Sequence, residues 1–391
     1  MRKIIFIADG RSDHTRRWVR FFAHNSNTTL ISTYDCDSLP GIKTIVLPGK
    51  FRMSKQLMSD EANQLNQRTL TSRLLAALIR VEWAAKLWGL LKLLDLFKQS
   101  IRVKFLIRQI NPDVLHALRI PNEGYLAAFS GHKNFIVSSW GSDFIDTAKN
   151  SIINRILTKI TLKRTGYFFS DCHRDIDLAM KHGLKPEIPR FVCPGNGGVD
   201  TNIFHRPSDL CKTHSLLYCR GLSRVTCIET LIISYKMLQE RFDDISLTIM
   251  SPIVTHSQIN HLLDKNMVER INVSLLDFSG PERLSELMRN HSIFVSPMSS
   301  DGLPNSMLEA MSCGMVPVMS NLSSISEVIT NNVNGFLFEG SSHDELYTAV
   351  CSAFQKLHSA FRLDNIEIIN DEYNYANRME MISRIYDRAK K

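Results

Sequence analysis

The stretch 296–314, SPMSSDGLPNSMLEAMSCG, constrains the fold more than any other part of the chain. The apolar residues 293–295 before it predict a buried strand, and Gly302 and Pro304 break regular structure in the loop that follows. Residues 305–313 predict a short helix that Gly314 ends, with Asn305 suited to cap it. Such a helix start offers unpaired N–H groups, here those of residues 305–307 with Ser306 among them, and the positive end of a dipole. Both favour an anion such as a diphosphate.

Two carboxylates bracket this predicted anion site. Asp301 precedes the helix, and Glu309 lies within its first turns. Carboxylates at these places can accept hydrogen bonds from sugar hydroxyls, Asp301 from a donor hexose and Glu309 from a ribose. The spacing alone also fits an ordinary strand–loop–helix with two surface acids, and that alternative stays open.

The same residues resemble a known family signature. SSDGL at 299–303, LEAMSCG at 308–314 and PV at 317–318 are similar to the acid-x7-acid segment of retaining glycosyltransferases with the GT-B fold, of the family 4 type (glycosyl transferases group 1). Asp301 stands where Glu is usual. The resemblance implies two Rossmann-like, doubly wound α/β domains that face each other across a cleft. It places an acceptor domain at 1–203 and a nucleotide-sugar domain at 204–372, with a C-terminal helix at about 373–391 crossing back to the first domain.

Length and composition agree with two globular domains. The chain has 391 residues, of which 44% are hydrophobic and 22% charged. The eight cysteines include no C-x-x-C pair, so we expect free thiols in a reducing cytoplasm. The apolar run in MRKIIFIADG ends at Asp9, which is too soon for a signal peptide and predicts a first buried strand instead.

Charge divides unevenly along the chain. Residues 1–200 carry 30 Lys and Arg against 17 Asp and Glu, a net +13, whereas residues 201–391 carry 17 against 22, a net −5. A basic half attracts anionic surfaces, and the sequence has no nucleic-acid-binding module, so membrane headgroups are the preferred partner. The very apolar stretch 70–96, with Trp83 and Trp88, fits either helices packed on the domain or an interfacial membrane contact.

The first half offers acceptor-side candidates. A strand at 3–8, a loop and a helix at 14–24 open the chain, with the G-x-x-x-H-T-R-R-W pattern that is common in the family. The resemblance implies that Gly10 lies near the donor diphosphate and that His14 and Arg17 face the acceptor; a solvated helix face is the alternative for the arginines. No G-x-G-x-x-G occurs, so no dinucleotide cofactor is expected.

Two further segments of the first half match family strands. They are NPDVLHA at 111–117 and FIVSSWGSD at 135–143. The resemblance places Trp140 where many members have a donor-contacting His, and gives Asp143 a role in orienting the acceptor or the loop. His116 at a strand end favours a core histidine over a functional one.

The second half starts afresh with a strand that ends near Arg220. In the family, Arg followed some six residues later by Lys binds the donor diphosphate. Arg220 matches the first of these residues, and uncharged Thr226 occupies the place of the second. Arg224 is close by and has a planar guanidinium suited to phosphate oxygens.

The resemblance implies a retaining hexosyltransferase that needs no metal, with Asp301, Arg220 and Asp143 as catalytic residues and Arg220, Arg224, Asn305, Ser306 and Glu309 binding the donor. The expected partners are a nucleotide sugar and a lipid-linked or surface glycan acceptor, at the cytoplasmic face of the plasma membrane. Two alternatives stay open: a nucleotide-sugar epimerase or hydrolase on the same fold, and a catalytically weak partner subunit. The sugar, the base, the acceptor hydroxyl and the oligomeric state cannot be read from the sequence.

Overall fold

The computed structural model describes residues 1–47, 82–141, 143–148 and 151–389. These residues divide into two compact domains. The first domain comprises Met1–Gly197 and Met379–Lys391, and the second comprises Gly198–Arg378. Residues 70–81 of the apolar stretch 70–96 lie outside the described part of the chain.

The first domain is a parallel sheet with helices wound onto it. Within its described residues, the strands are β1 (Arg2–Ala8), β2 (Ser26–Ser32), β3 (Lys43–Val46), β4 (Val114–Ala117), β5 (Ile136–Ser139), β6 (Tyr167–Ser170) and β7 (Arg190–Val192), in the order β3-β2-β1-β4-β5-β6-β7. The helices are α1 (Asp13–Phe21), α2 (Glu82–Ile110), α3 (Tyr125–Phe129), α4 (Ile152–Arg164) and α5 (His173–Lys181). The sheet builds outward from β1 on one side and from β4 on the other, which is the doubly wound arrangement.

The second domain repeats this topology. Its described strands are β8 (Ser215–Tyr218), β9 (Ser246–Met250), β10 (Val273–Leu276), β11 (Ile293–Ser296), β12 (Val316–Ser320) and β13 (Phe336–Phe338), in the order β10-β9-β8-β11-β12-β13. Its helices are α6 (Ile228–Gln239), α7 (His256–Lys265), α8 (Pro281–Arg289), α9 (Asn305–Ser312), α10 (His343–Gln355) and α11 (Phe361–Glu372); a last helix, α12 (Tyr375–Arg388), ends in the first domain. The doubly wound α/β fold of both halves is therefore confirmed.

Apolar strands explain why both sheets are buried on their two faces. Ile5, Ile7 and Leu115 belong to the first core, and Leu216 and Val295 to the second, each at most 1% exposed. Parallel strands covered by helices on both sides read as continuous apolar runs of this kind.

The domain boundary lies earlier than the residues 203/204 expected from the sequence. Residues 199–204 belong to the second domain because their backbone is bonded there. Val199 N donates to Tyr373 O, Ser285 Oγ donates to Ile203 O, and Ser312 Oγ donates to Phe204 O.

A buried arginine holds the end of α9. Arg362 is 1% exposed, and its guanidinium donates to Gly314 O at 2.7 Å and to Leu357 O at 2.8 Å. Gly314 has φ +79°, and a Cβ there would lie 2.4 Å from a methyl of Leu210. Only glycine fits this turn, so α9 is fixed at its carboxyl end.

The C-terminal helix is anchored in the first domain by a buried polar cluster. His116 is fully buried, with Nδ1 2.5 Å from Tyr386 Oη and Nε2 2.8 Å from Ser138 Oγ. Trp18 Nε1 donates to the same Tyr386 hydroxyl at 3.2 Å. The Tyr386 hydroxyl therefore bonds to both Trp18 and His116, as is typical of a core histidine whose ring nitrogens have protein partners. Burial accordingly lowers the pKa of His116 to about 3.

No helix in the described part of the chain has an apolar run long enough to cross a membrane.

Replacing Tyr386 by Phe should lower the free energy of unfolding of the first domain by about 2 kcal/mol, because a buried donor and a buried acceptor lose their partner. Urea unfolding of the purified chain measures this change. Tyr167→Phe is the matched control, because Tyr167 Oη donates to Arg388 O on the same helix at an exposed position. A loss no larger than the control's would show that the buried hydroxyl does not anchor the helix.

Candidate active site

The two central strands of the second sheet bring Arg220 and Asp301 together. β8 and β11 are neighbours at the point where the strand order reverses, and both side chains follow the carboxyl ends of these strands. Ligands of doubly wound sheets bind at such a point. Arg220 Nη2 lies 2.5 Å from Asp301 Oδ2, and both side chains are about one-fifth exposed, at 22% and 18%. The pair is thus placed where a ligand can reach it.

The amino end of α9 opens at the same place. Pro304 precedes the helix and has no N–H, while Met307 N and Leu308 N both donate to Pro304 O. Among the described residues, no acceptor bonds to the N–H groups of Asn305 and Ser306. Two such N–H groups at the positive end of a helix dipole can bind an anion.

Asn305 does not cap α9, contrary to the expectation from the sequence. Pro304 holds the cap position with ψ 119°, so Asn305 is already the first helical residue and its side chain makes no cap bond. Its Oδ1 is buried and lacks a protein hydrogen-bond partner among the described residues.

Glu309 and Ser306 lie beside the strand end that carries Arg220. Burial raises the pKa of Cys219 to about 12; Arg220 and a hydrogen bond with Ser306 oppose this rise, and the charge of Glu309 adds to it. Glu309 itself is 9% exposed. The structure therefore brings Arg220, Asp301, Ser306 and Glu309 into one region of the second domain. The sequence predicted Asp301 as catalytic, Ser306 and Glu309 as donor-binding, and Arg220 as both.

Thr226 has a structural role in the loop after β8. Its hydroxyl accepts from Ser223 N at 2.8 Å and donates to Ser223 O at 2.9 Å. The loop is joined to the Asp301 loop by Cys227 N to Pro297 O and by Ser299 N to Val225 O. Arg224 lies at the exposed side of this turn, so it can supply a second cation near Arg220.

The first domain brings two of the expected acceptor-side residues together. The exposed His14 ring on α1 meets the Trp140 ring edge to face, with centroids 6.1 Å apart. Trp140 in turn packs on Gly195. Arg17 lies on the same helix and is partly buried.

Gly10 has a packing reason to be glycine. A Cβ would lie 2.4 Å from Cys36 Sγ and 2.8 Å from Ser32 Oγ, and Gly10 N donates to that hydroxyl. The loop after β1 therefore lies tightly against the end of β2.

Asp143 is a buried organiser of the loops at this edge of the first sheet. One carboxylate oxygen accepts from Arg119 Nη2 at 2.7 Å and Nε at 3.1 Å. The other accepts from Ile120 N and Trp140 N, both at 3.2 Å. Because its side chain is 0% exposed, Asp143 acts by holding these loops in place.

Sequence reasoning missed Arg119 and the buried Glu123 that follows it. Both come directly after β4, in LRIPNEG at 118–124. The sequence did show an arginine and an acid directly after an apolar strand, which can indicate a site where the strand order of a sheet reverses. Their partners, however, lie far away in the sequence.

One group of described residues has ligand atoms close enough for a metal ion: Asp171, Cys172 and Asp175. Protein groups already serve them, since Gly141 N donates to Asp171 and the Arg174 guanidinium lies 2.7 Å from Asp175. Burial raises the pKa of Asp171 and that of Asp175, which favours their protonated forms.

Comparisons with known proteins agree with this architecture. A family model described as glycosyl transferases group 1 matches residues 210–360, and one described as glycosyl transferase 4-like matches residues 62–172. None of the curated protein sequences matches the chain.

Solved structures share the fold over almost the whole length. HepE of Anabaena in complex with UDP has a TM-score of 0.72 at 12% identity, covering 99% of this chain and 100% of its own. Sucrose-phosphate synthase of Thermosynechococcus elongatus has a TM-score of 0.70 at 12% identity, covering 99% of both chains. The lipopolysaccharide outer core galactosyltransferase WaaB has a TM-score of 0.65 at 16% identity, covering 98% of this chain and 99% of its own. The solved structures show the fold, and the two family models, which match different domains, show that the chain belongs to the group 1 glycosyltransferases.

Proposed function

We propose that this glycosyltransferase moves a hexose from a nucleotide-diphosphate sugar to a glycan or glycolipid acceptor, with retention at the anomeric carbon. The observation that carries the proposal is the meeting of Arg220, Asp301 and the two unbonded N–H groups of α9 at the centre of the second sheet. HepE binds UDP and WaaB is a lipopolysaccharide galactosyltransferase, and by analogy they support a nucleotide donor and a surface glycan acceptor.

The donor diphosphate would bind at the amino end of α9, beside Arg220. Arg220 and the N–H groups of Asn305 and Ser306 stabilise the negative charge that develops as the diphosphate leaves, which is an electrostatic form of catalysis. Arg224 adds a second cation from the neighbouring loop. These groups can do the work of a metal ion, so we propose a metal-independent reaction.

The two carboxylates then bind the sugars of the donor. Glu309 accepts from the ribose hydroxyls, and Asp301 accepts from hydroxyls of the hexose. Arg220 holds Asp301 at 2.5 Å, so the shorter side chain that replaces the usual Glu is fixed next to the phosphate ligand. In the first domain, Gly10 lets the loop after β1 lie close against the end of β2. His14, Arg17 and Trp140 contact the acceptor.

Arg220→Ala and Asp301→Asn should each lower the turnover of sugar transfer at least about tenfold, because each removes charge that stabilises or orients the transition state. Transfer is measured as nucleoside diphosphate released with acceptor present, and a chelator should leave the wild-type rate unchanged. Arg270→Ala is the control, because Arg270 forms an ion pair of similar length, 2.7 Å with Asp264, at an exposed position of the same domain. Unchanged rates in both site variants, or rapid turnover of donor without acceptor, would contradict the proposal.

We also propose that the first domain docks on an anionic membrane at the cytoplasmic face, through α2. Leu94, Phe97, Ile101 and Phe105 are 47–70% exposed and recur at helical spacing, so they form one apolar stripe. Exposed cations flank the stripe on both sides: Lys98, Arg102, Lys104 and Arg108. An apolar stripe between cations is typical of helices that lie in the headgroup region of anionic bilayers.

Wild-type protein should float with vesicles that contain anionic lipid and stay behind with purely zwitterionic vesicles. The combined change Phe97→Ser, Ile101→Ser and Phe105→Ser should reduce the fraction of protein that floats about tenfold, because it removes the apolar area that α2 would bury in the bilayer. Ile271→Ser in the second domain is the control, since Ile271 is 85% exposed outside the stripe. Equal flotation of the triple variant and the wild type would show that α2 is not the docking surface.

A further inference from the structure

The centre of the first sheet contains a buried carboxyl that has no assigned role. β1 and β4 are neighbours where the strand order reverses, and the irregular turn Ile120–Gly124 follows β4. Asn122 has φ +63° in this turn, and Glu123 after it is only 3% exposed. The turn thus directs an acidic side chain inward at the edge of the sheet where ligands bind.

Hydrogen bonds connect Glu123 to the ends of two other strands. Thr33 Oγ1 donates to Glu123 Oε1 at 2.6 Å. Thr33 follows β2, and its backbone N–H donates to Ala8 O at the end of β1. Through Thr33, Glu123 therefore connects the turn after β4 to the ends of β1 and β2.

Arg119 extends the network to the loop that carries Trp140. Its guanidinium is attracted to both Glu123 and Asp143, and Asp143 accepts from Trp140 N. Because Arg119 is shared between two carboxyls, the state of Glu123 affects how tightly Asp143 and the Trp140 loop are held.

We propose that Glu123 is a positioning residue for acceptor binding, acting through Arg119 and Asp143 on the Trp140 loop. This inference rests on the proposed acceptor role of the first domain. Ionised Glu123 accepts from Thr33 and attracts Arg119, which completes the network. Protonation removes the attraction between Glu123 and Arg119, so Arg119 moves toward Asp143 and displaces the Trp140 loop that Asp143 holds.

The surroundings let this switch occur near neutral pH. Burial raises the pKa of Glu123 to about 7; the Thr33 hydrogen bond and the Arg119 charge oppose this rise, and Asp9 adds to it. The groups that face Glu123 are therefore Thr33, Arg119 and Asp9, while Tyr34 and Asp143 face Arg119.

The test is the pH profile of kcat/KM for the acceptor in the wild type and in Glu123→Gln. Gln resembles the protonated acid, so the two proteins should be nearly equal at about pH 6. The ratio of wild type to variant should rise to about tenfold at about pH 8.5, since misplacement of a binding loop costs rates of this order. KM for the nucleotide sugar should change much less, because Arg220, Glu309 and the N–H groups proposed to bind it lie in the second domain.

Asp113→Asn is the matched control. Asp113 Oδ2 accepts from Lys3 N at 2.7 Å, just before β4 and thus at the other end of the strand from Glu123. Its profile should follow the wild type at every pH. A Glu123→Gln profile parallel to the wild type would overturn the inference, whereas absence of sugar transfer in the wild type would count against the proposed function instead.

A second readout does not need activity. The folded state raises the pKa of Glu123, so between pH 4.5 and 7 it binds more protons than the unfolded state, and stability is lost as the pH rises. The melting temperature of Glu123→Gln relative to the wild type should therefore rise by several degrees from about pH 5 to about pH 8. A difference that is constant with pH would also contradict the inference.

Discussion

The parallel order of the second sheet determines where charge collects in this protein. Because β8 and β11 run side by side in the same direction, the residues after both strands emerge at one edge. Arg220 and Asp301 form an ion pair there, and α9 begins within a few residues of Asp301. A cation, a carboxylate and backbone N–H groups that bond to no acceptor in the described part of the chain thus lie in one small region. These are the groups that bind a sugar diphosphate.

The two domains use the same topology and fill the central edge differently. In the second domain it carries a cation and helix N–H groups, which suit an anionic ligand. In the first domain it carries the buried carboxyls Glu123 and Asp143 around Arg119, whose bonds go to neighbouring loops. The central edge of the second domain is therefore suited to binding an anion, and that of the first domain to holding loops. This division agrees with a donor site in one domain and an acceptor site in the other, as we propose.

Much of the fold could be predicted from the sequence because apolar runs specify buried parallel strands. β1 and α9 lie within one residue of their predicted bounds, and the group 1 signature predicted the fold class. Other bounds shifted where backbone pairing, rather than apolar side chains, defines the strand. β2 begins at Ser26 although its residues 26–29 are polar, because these residues pair with the start of β1.

The parts that could not be predicted depend on contacts between distant residues. Thr33 and Glu123 are 90 positions apart, and no local pattern connects them. Asn305 was expected to cap α9, but the fixed ring of Pro304 took that position. Thr226 is uncharged where the family has a cation, and only the structure shows that its hydroxyl closes the turn that displays Arg224.

The central claim is that the amino end of α9 and Arg220 bind the diphosphate of a nucleotide donor. Titration calorimetry with a panel of nucleoside diphosphates, on the wild type and on Arg220→Ala, tests it most directly. We expect one nucleoside diphosphate to bind the wild type, and its affinity to fall at least about tenfold in the variant, since a charged hydrogen bond contributes about 1.5–3 kcal/mol. Equal affinity in both proteins, or binding of none of the panel to the wild type, would contradict the account.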